Sequence, residues 1–163
     1  MSLKFFLAWL ESSPVGHLMR DHGVWTYSLV NLSHILGVSS LFGSVLILDL
    51  RLLGLWHRVP IAMVRSVAVP VAKTGFTLAA ITGLGLLATK ATEYIGNPFL
   101  LIKFPAIAIA LVNVAIVNRS AAWQALSYRE PSQTEERQLA IMGGVSLVSW
   151  LTAVSAGRMI GYW

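Results

Sequence analysis

Residues 24–48 read VWTYSLVNLSHILGVSSLFGSVLIL, a run with no lysine, arginine, aspartate or glutamate. A bilayer's hydrocarbon core is about 30 Å thick and needs about 20 residues of helix to cross it, so this run is long enough to span. Outward from it, three more predominantly apolar runs follow, over about 65–88, 97–117 and 139–160, whose only charged residues are Arg65, Lys73, Lys103 and Arg158. Composition agrees, with 56% apolar and 12% charged residues, well below the roughly 25% charged of a soluble domain. The expectation is an all-α fold: one integral membrane domain over 1–163, a four-helix bundle with spans 24–48, 65–88, 97–117 and 139–160.

The segments between the spans are polar. The opening MSLKFFLAWL has an apolar core barely long enough for a signal peptide, Glu11 and Pro14 follow at once, and there is no small-x-small cleavage site. It is expected to remain as an amphipathic interfacial helix, with Phe5, Phe6 and Trp9 in the headgroup region and Lys4 and Glu11 in water. Pro70 and Pro105 fall inside the second and third spans, where proline kinks or interrupts a helix. Ser120 to Gln138 reads as a surface loop, with Pro131 to Glu136 opening the last helix and placing acids on its positive end. Tyr162 and Trp163 suit an aromatic belt.

Arg51, Arg58 and Arg65 flank one connection, and Arg119, Arg129 and Arg137 another. Lys4, Arg20, Lys90 and Arg158 lie at the opposite end of the spans, with Lys103 just inside the third. By the positive-inside rule the arginine-rich side is cytoplasmic, which leaves both termini non-cytoplasmic. The net charge of +5 is therefore read as topology signal and anionic-lipid contact, and no nucleic-acid partner is expected. Small residues four apart at Ser39/Gly43, Ala106/Ala110 and Ala153/Gly157 are expected to allow close helix packing.

Chemistry has few residues to stand on. The absence of cysteine excludes disulfides, iron–sulfur clusters and thiol catalysis. Zinc-protease, serine-hydrolase and phosphate-loop motifs are missing, so no catalytic residue is assigned. An ionisable side chain in lipid costs about 2.5–3.5 kcal/mol on insertion scales, which makes each one a functional candidate. These are His34, Lys73, Lys103 and Arg158.

His34 sits about ten residues, or ~15 Å, into the first helix. Tyr27 and Asn31 share its face. It reads either as a neutral histidine bonded to a neighbouring helix or as an axial ligand to haem iron. Lys103 either snorkels to the surface or turns inward to meet an anionic group such as a haem propionate. Arg158 has the same choice, and its planar fork suits a carboxylate. His34, Lys103 and Arg158 are all expected in the outer half of the bundle. Lys73 is expected to reach the cytoplasmic interface or to bond a carbonyl freed by Pro70, and Asp49 and Arg51 are expected to form an interfacial ion pair. His17, His22 and His57 read as solvated, since a His17/His22 pair does not complete a metal site.

The run LSHILG at 32–37, Gly43, and then DLRLLG at 49–54 resemble an uncharacterised bacterial family of small four-span membrane proteins. Thr82-Gly83, Asn97-Pro98-Phe99 with Lys103, Ser149-Trp150 and Gly157-Arg158 extend the resemblance over nearly the whole chain. The layout is similar, more distantly, to copper-resistance D-type membrane proteins and to HemJ-type protoporphyrinogen oxidases. In the latter, a histidine in the first span and a lysine in a later one are implicated in haem binding. The resemblance implies His34 and Lys103 as the matching positions and the bacterial inner membrane as the location.

The leading expectation is a haem-associated, b-type-cytochrome-like membrane protein or membrane-anchor subunit in electron transfer. His34 is the metal ligand of a haem b, Lys103 and Arg158 lie near the propionates, and Asn31 and Tyr27 support the histidine. The alternatives are a cofactor-free structural or assembly subunit of a larger membrane complex and a small transporter. Membrane lipid is the expected partner, with other membrane subunits or a second copy as further ones.

Overall fold

The computed structural model describes residues 3–21 and 23–163, and the fold is all-α. Seven α-helices occur among the described residues: α1 (Leu3–Glu11), α2 (Pro14–Asp21), α3 (Gly23–Leu52), α4 (Ile61–Thr89), α5 (Pro98–Arg119), α6 (Ala121–Ala125) and α7 (Gln133–Met159). Single 3-10 segments follow α4, at Ala91–Tyr94, and α7, at Ile160–Tyr162. Helices α3, α4, α5 and α7 are each long and apolar enough to cross a membrane. Their outward positions are apolar too. Leu29, Val67, Ile81, Ile141 and Val148 are each more than 60% exposed, an arrangement that a water-facing helix surface does not favour.

Two compact units divide the chain, Met1–Leu41 with Lys73–Asn97 and Phe42–Ala72 with Pro98–Trp163. In the first, Ser13 closes α1 by donating to the Leu10 carbonyl, and its hydroxyl accepts from the Gly16 amide to cap α2, with Pro14 as the first helical residue. Arg20 on α2 donates to the carbonyls of Ala88 and Thr89 at 3.4 and 3.1 Å, and to the Glu11 carbonyl at 2.8 Å. It thus satisfies the orphan acceptors that end α4, where a cation also favours the helix dipole. The Glu11 carboxylate accepts from the amide and the hydroxyl of Thr92, both at 2.7 Å. These bonds hold its carboxyl below the ordinary range. Helix α1 buries Leu7 and exposes Phe5, Phe6 and Trp9, the distribution of an amphipathic helix.

In the second unit α3 runs on to Leu52, four residues past the expected 48. Its end is a Schellman motif: the Leu55 amide donates to Leu50 and the Gly54 amide to Arg51, with Gly54 at φ +101. Only glycine adopts that backbone without strain, which explains the last letter of DLRLLG. The expected loop 120–138 is largely ordered. Ser120 caps α6, and Trp123 and Leu126 enter a core with Leu52, Ile61, Ala122 and Leu139. Helix α7 begins at Gln133, six residues before the expected 139, because Ser132 and Glu135 form a capping box. Arg129 grips Glu135 with two bonds of 2.7 and 2.8 Å. Helices α4 and α5 continue through Pro70 and Pro105. Each proline removes one backbone bond without ending a helix that has long apolar runs on both sides.

Candidate functional site

His34 lies on α3, half-buried, against α4. Its Nδ1 is 3.0 Å from the Ala79 carbonyl oxygen and 3.1 Å from Thr82 Oγ1. A carbonyl only accepts, so the Ala79 contact assigns the ring hydrogen to Nδ1. Thr82 Oγ1 donates to the Leu78 carbonyl at 2.6 Å and can therefore accept from His34 as well. In the neutral ring, Nε2 is then the nitrogen that carries the lone pair.

The backbone around the ring is shaped to admit it. A β-carbon on Gly83 would stand 2.9 Å from His34 Cε1, so glycine there makes room for the imidazole. Just over two helical turns toward the N-terminus of α4, Gly75 meets Gly37 and Leu41 of α3. Gly75, Ala79 and Gly83 recur every four residues and let α3 approach the α4 backbone closely. Thr82, Ala79 and Gly83 were not foreseen as the surroundings of His34. The small-residue repeat at 75, 79 and 83 was the sequence signal that could have found them.

The expected helpers of His34 divide. Asn31 is half-buried one turn before it. Tyr27 is exposed, and its electrostatic neighbours are Tyr94 and Lys90. Burial is the main cause raising the Tyr94 phenol above its ordinary range, with Tyr27 and Glu93 adding to it. His34 Nδ1 has Ala79 and Thr82 on α4 within hydrogen-bonding distance.

Lys103 and Arg158 belong to the second unit, whereas His34, Asn31 and Tyr27 belong to the first. Lys103 Nζ is 3.3 Å from where a Gly157 β-carbon would be, so glycine admits the lysine chain. Arg158 donates to the Tyr162 hydroxyl and stacks its guanidinium 4.8 Å from that ring's centre. The buried seam of α5 and α7 carries Ala106, Ala110, Ala153 and Ala156, with Asn113 donating to the Met142 carbonyl at 2.9 Å.

Asp49 and Arg51 do not form the expected ion pair. Arg51 donates to the carbonyls of Val59 and His57 at 2.5 and 3.3 Å, while the Asp49 carboxyl has Ser146 as its hydrogen-bonding neighbour. Lys73 is exposed. His17 lies 3.6 Å from Asp21, and His22 lies outside the described residues. Among the described residues no three His, Asp or Glu side chains gather to hold a metal ion.

The pattern of a family described as "Family of unknown function (DUF6644)" matches residues 6–163. The chain belongs to that family. No curated protein and no solved structure matches it.

Proposed function

We propose that this DUF6644 chain is a four-span protein of the bacterial inner membrane, both termini outside, that holds haem b with His34 as the iron ligand. It acts in electron transfer as a b-type-cytochrome-like protein or membrane-anchor subunit. The observation that carries the reading is the fixed His34 tautomer. With Nδ1–H directed at the Ala79 carbonyl and Thr82, the imidazole is oriented and its Nε2 is the ligating nitrogen, the arrangement that metal-bound histidines use. The donor chemistry of a neutral His34 fits haem iron. Lys103 and Arg158 supply cationic donors suited to propionates, and Arg158 keeps further N–H groups beyond the one it gives to Tyr162. Haem, when bound, supplies a one-electron couple. The chain's part is to hold His34 neutral and oriented, and to offer an apolar setting.

A cofactor-free structural subunit is the second reading, favoured by the fit of the imidazole over Gly83. There His34 clips α3 to α4 and does nothing more. Absorption spectra of the detergent-purified chain, expressed with added haem precursor, separate the two. The haem reading expects a Soret band and a dithionite-reduced α band, abolished in His34→Ala. It also expects weaker haem retention in Lys103→Ala and Arg158→Ala. A colourless wild type overturns the haem reading in favour of the structural one.

A further inference from the structure

Asp49 lies three residues before the end of α3 and is 3% exposed, among the most buried polar side chains described. Its Oδ2 has no hydrogen-bond partner. Ser146 on α7 is a hydrogen-bonding neighbour of its carboxyl, and the Asp49 backbone packs against α7 at Gly143. Ser149, three residues on from Ser146, returns its hydroxyl to the Val145 carbonyl of its own helix at 2.7 Å.

Among the described residues no cation pairs with the carboxyl. On Asp49's own helix, Arg51 is held by the carbonyls of Val59 and His57. Arg65 on α4 donates to the Trp123 carbonyl at 2.8 Å and stacks on its ring at 4.5 Å. The facing helix contributes nothing ionisable, since α7 has no acid, lysine, arginine or histidine between Gln138 and Arg158. Burying a carboxylate without a cation costs several kcal/mol, and buried polar groups kept only for structure are as a rule fully hydrogen-bonded. A carboxyl that alternates between O–H donor and carboxylate acceptor accounts for both the vacant bonding position and the hydroxyl neighbour, because a serine can donate to one form and accept from the other. Exchange with water is short-range. Asp49 is about 4.5 Å along the axis from the helix end, and residues 53–60 beyond it are exposed.

We propose that Asp49 and Ser146 form a proton-binding site, at which the carboxylate takes up one proton from water on the side of the 53–60 turn and returns it there. The site does not depend on a bound cofactor. It is tested by treating the full-length detergent-purified protein with a lipid-soluble carbodiimide, which modifies buried carboxyls only in the protonated form, and mapping the adduct by mass spectrometry across a pH series. Labelling is expected on the peptide holding Asp49, falling about tenfold for each pH unit above its midpoint, and absent in Asp49→Asn. Ser146→Ala is expected to move the midpoint, and Ser149→Ala to leave it in place. The wild-type series decides the matter even where Asp49→Asn does not fold. Labelling that is absent at every pH, or unchanged across the series, overturns the proposal; equal midpoints in wild type and Ser146→Ala overturn the role of Ser146.

Discussion

Gly37 on α3 lies directly against Gly75 on α4: a β-carbon on Gly37 would come within 3.0 Å of the Gly75 carbonyl, and one on Gly75 within 2.8 Å of the Gly37 carbonyl. The obstacles are backbone atoms, which do not give way as a flexible side chain does. Gly37→Ala and Gly75→Ala are expected to destabilise the fold by about 1–3 kcal/mol, as overpacking does, despite alanine's better helix propensity. Gly43, where the sequence suggested a crossing, meets nothing within 4 Å. Gly43→Ala is expected to leave stability unchanged or to raise it by up to about 1 kcal/mol. Thermal unfolding in detergent compares the three variants.

At Gly83 the obstacle is the His34 ring itself. Gly83→Ala is therefore expected to push the imidazole aside with only a modest stability loss, and Thr82→Val to remove one of two acceptors from Nδ1. Nitrogen chemical shifts of a labelled His34 report both changes. If neither variant alters them, the assigned tautomer and packing are wrong.

The Glu11 carboxylate tie to Thr92 has a definite pH dependence. Its folded pKa lies below the ordinary 4.5, so the contribution is fully present above the unfolded value and lost as pH falls through the folded one. The Thr92 amide resonance is expected to titrate with a midpoint below 4.5, and Glu11→Gln to remove the titration.

Trp123 is 5% exposed among Leu52, Ile61, Leu126 and Leu139, and Arg65 covers its ring. Trp123→Ala is expected to cost about 3–5 kcal/mol, whereas Trp25→Ala, at an 82% exposed position, costs little in detergent. Denaturant titration measures both. Comparable losses would mean that the α6 segment is a surface loop after all.

Reporter fusions after residue 58 and near residue 130 are expected to report the cytoplasm, and fusions at 93 or after Trp163 the outside. An inverted pattern overturns the reading of the arginine bias.

The sequence by itself determined that there are four long apolar helices and roughly where they run. Lipid compatibility is decided residue by residue, so four long apolar runs are legible without knowing any contact. It also singled out His34, Lys103 and Arg158, because an ionisable group in such a run is conspicuous. Helix ends were less legible, and at α3 and α7 they depend on backbone hydrogen bonds made at Gly54 and Ser132. What only the tertiary structure decided is which face of each helix meets which neighbour: Gly37 against Gly75, His34 against Thr82, and Asp49 with Ser146 in place of Arg51. The reason is physical. A helix apolar on every side has no hydrophobic stripe to mark its packed face, so the small and polar residues that select that face acquire their meaning only when the opposite backbone is in place.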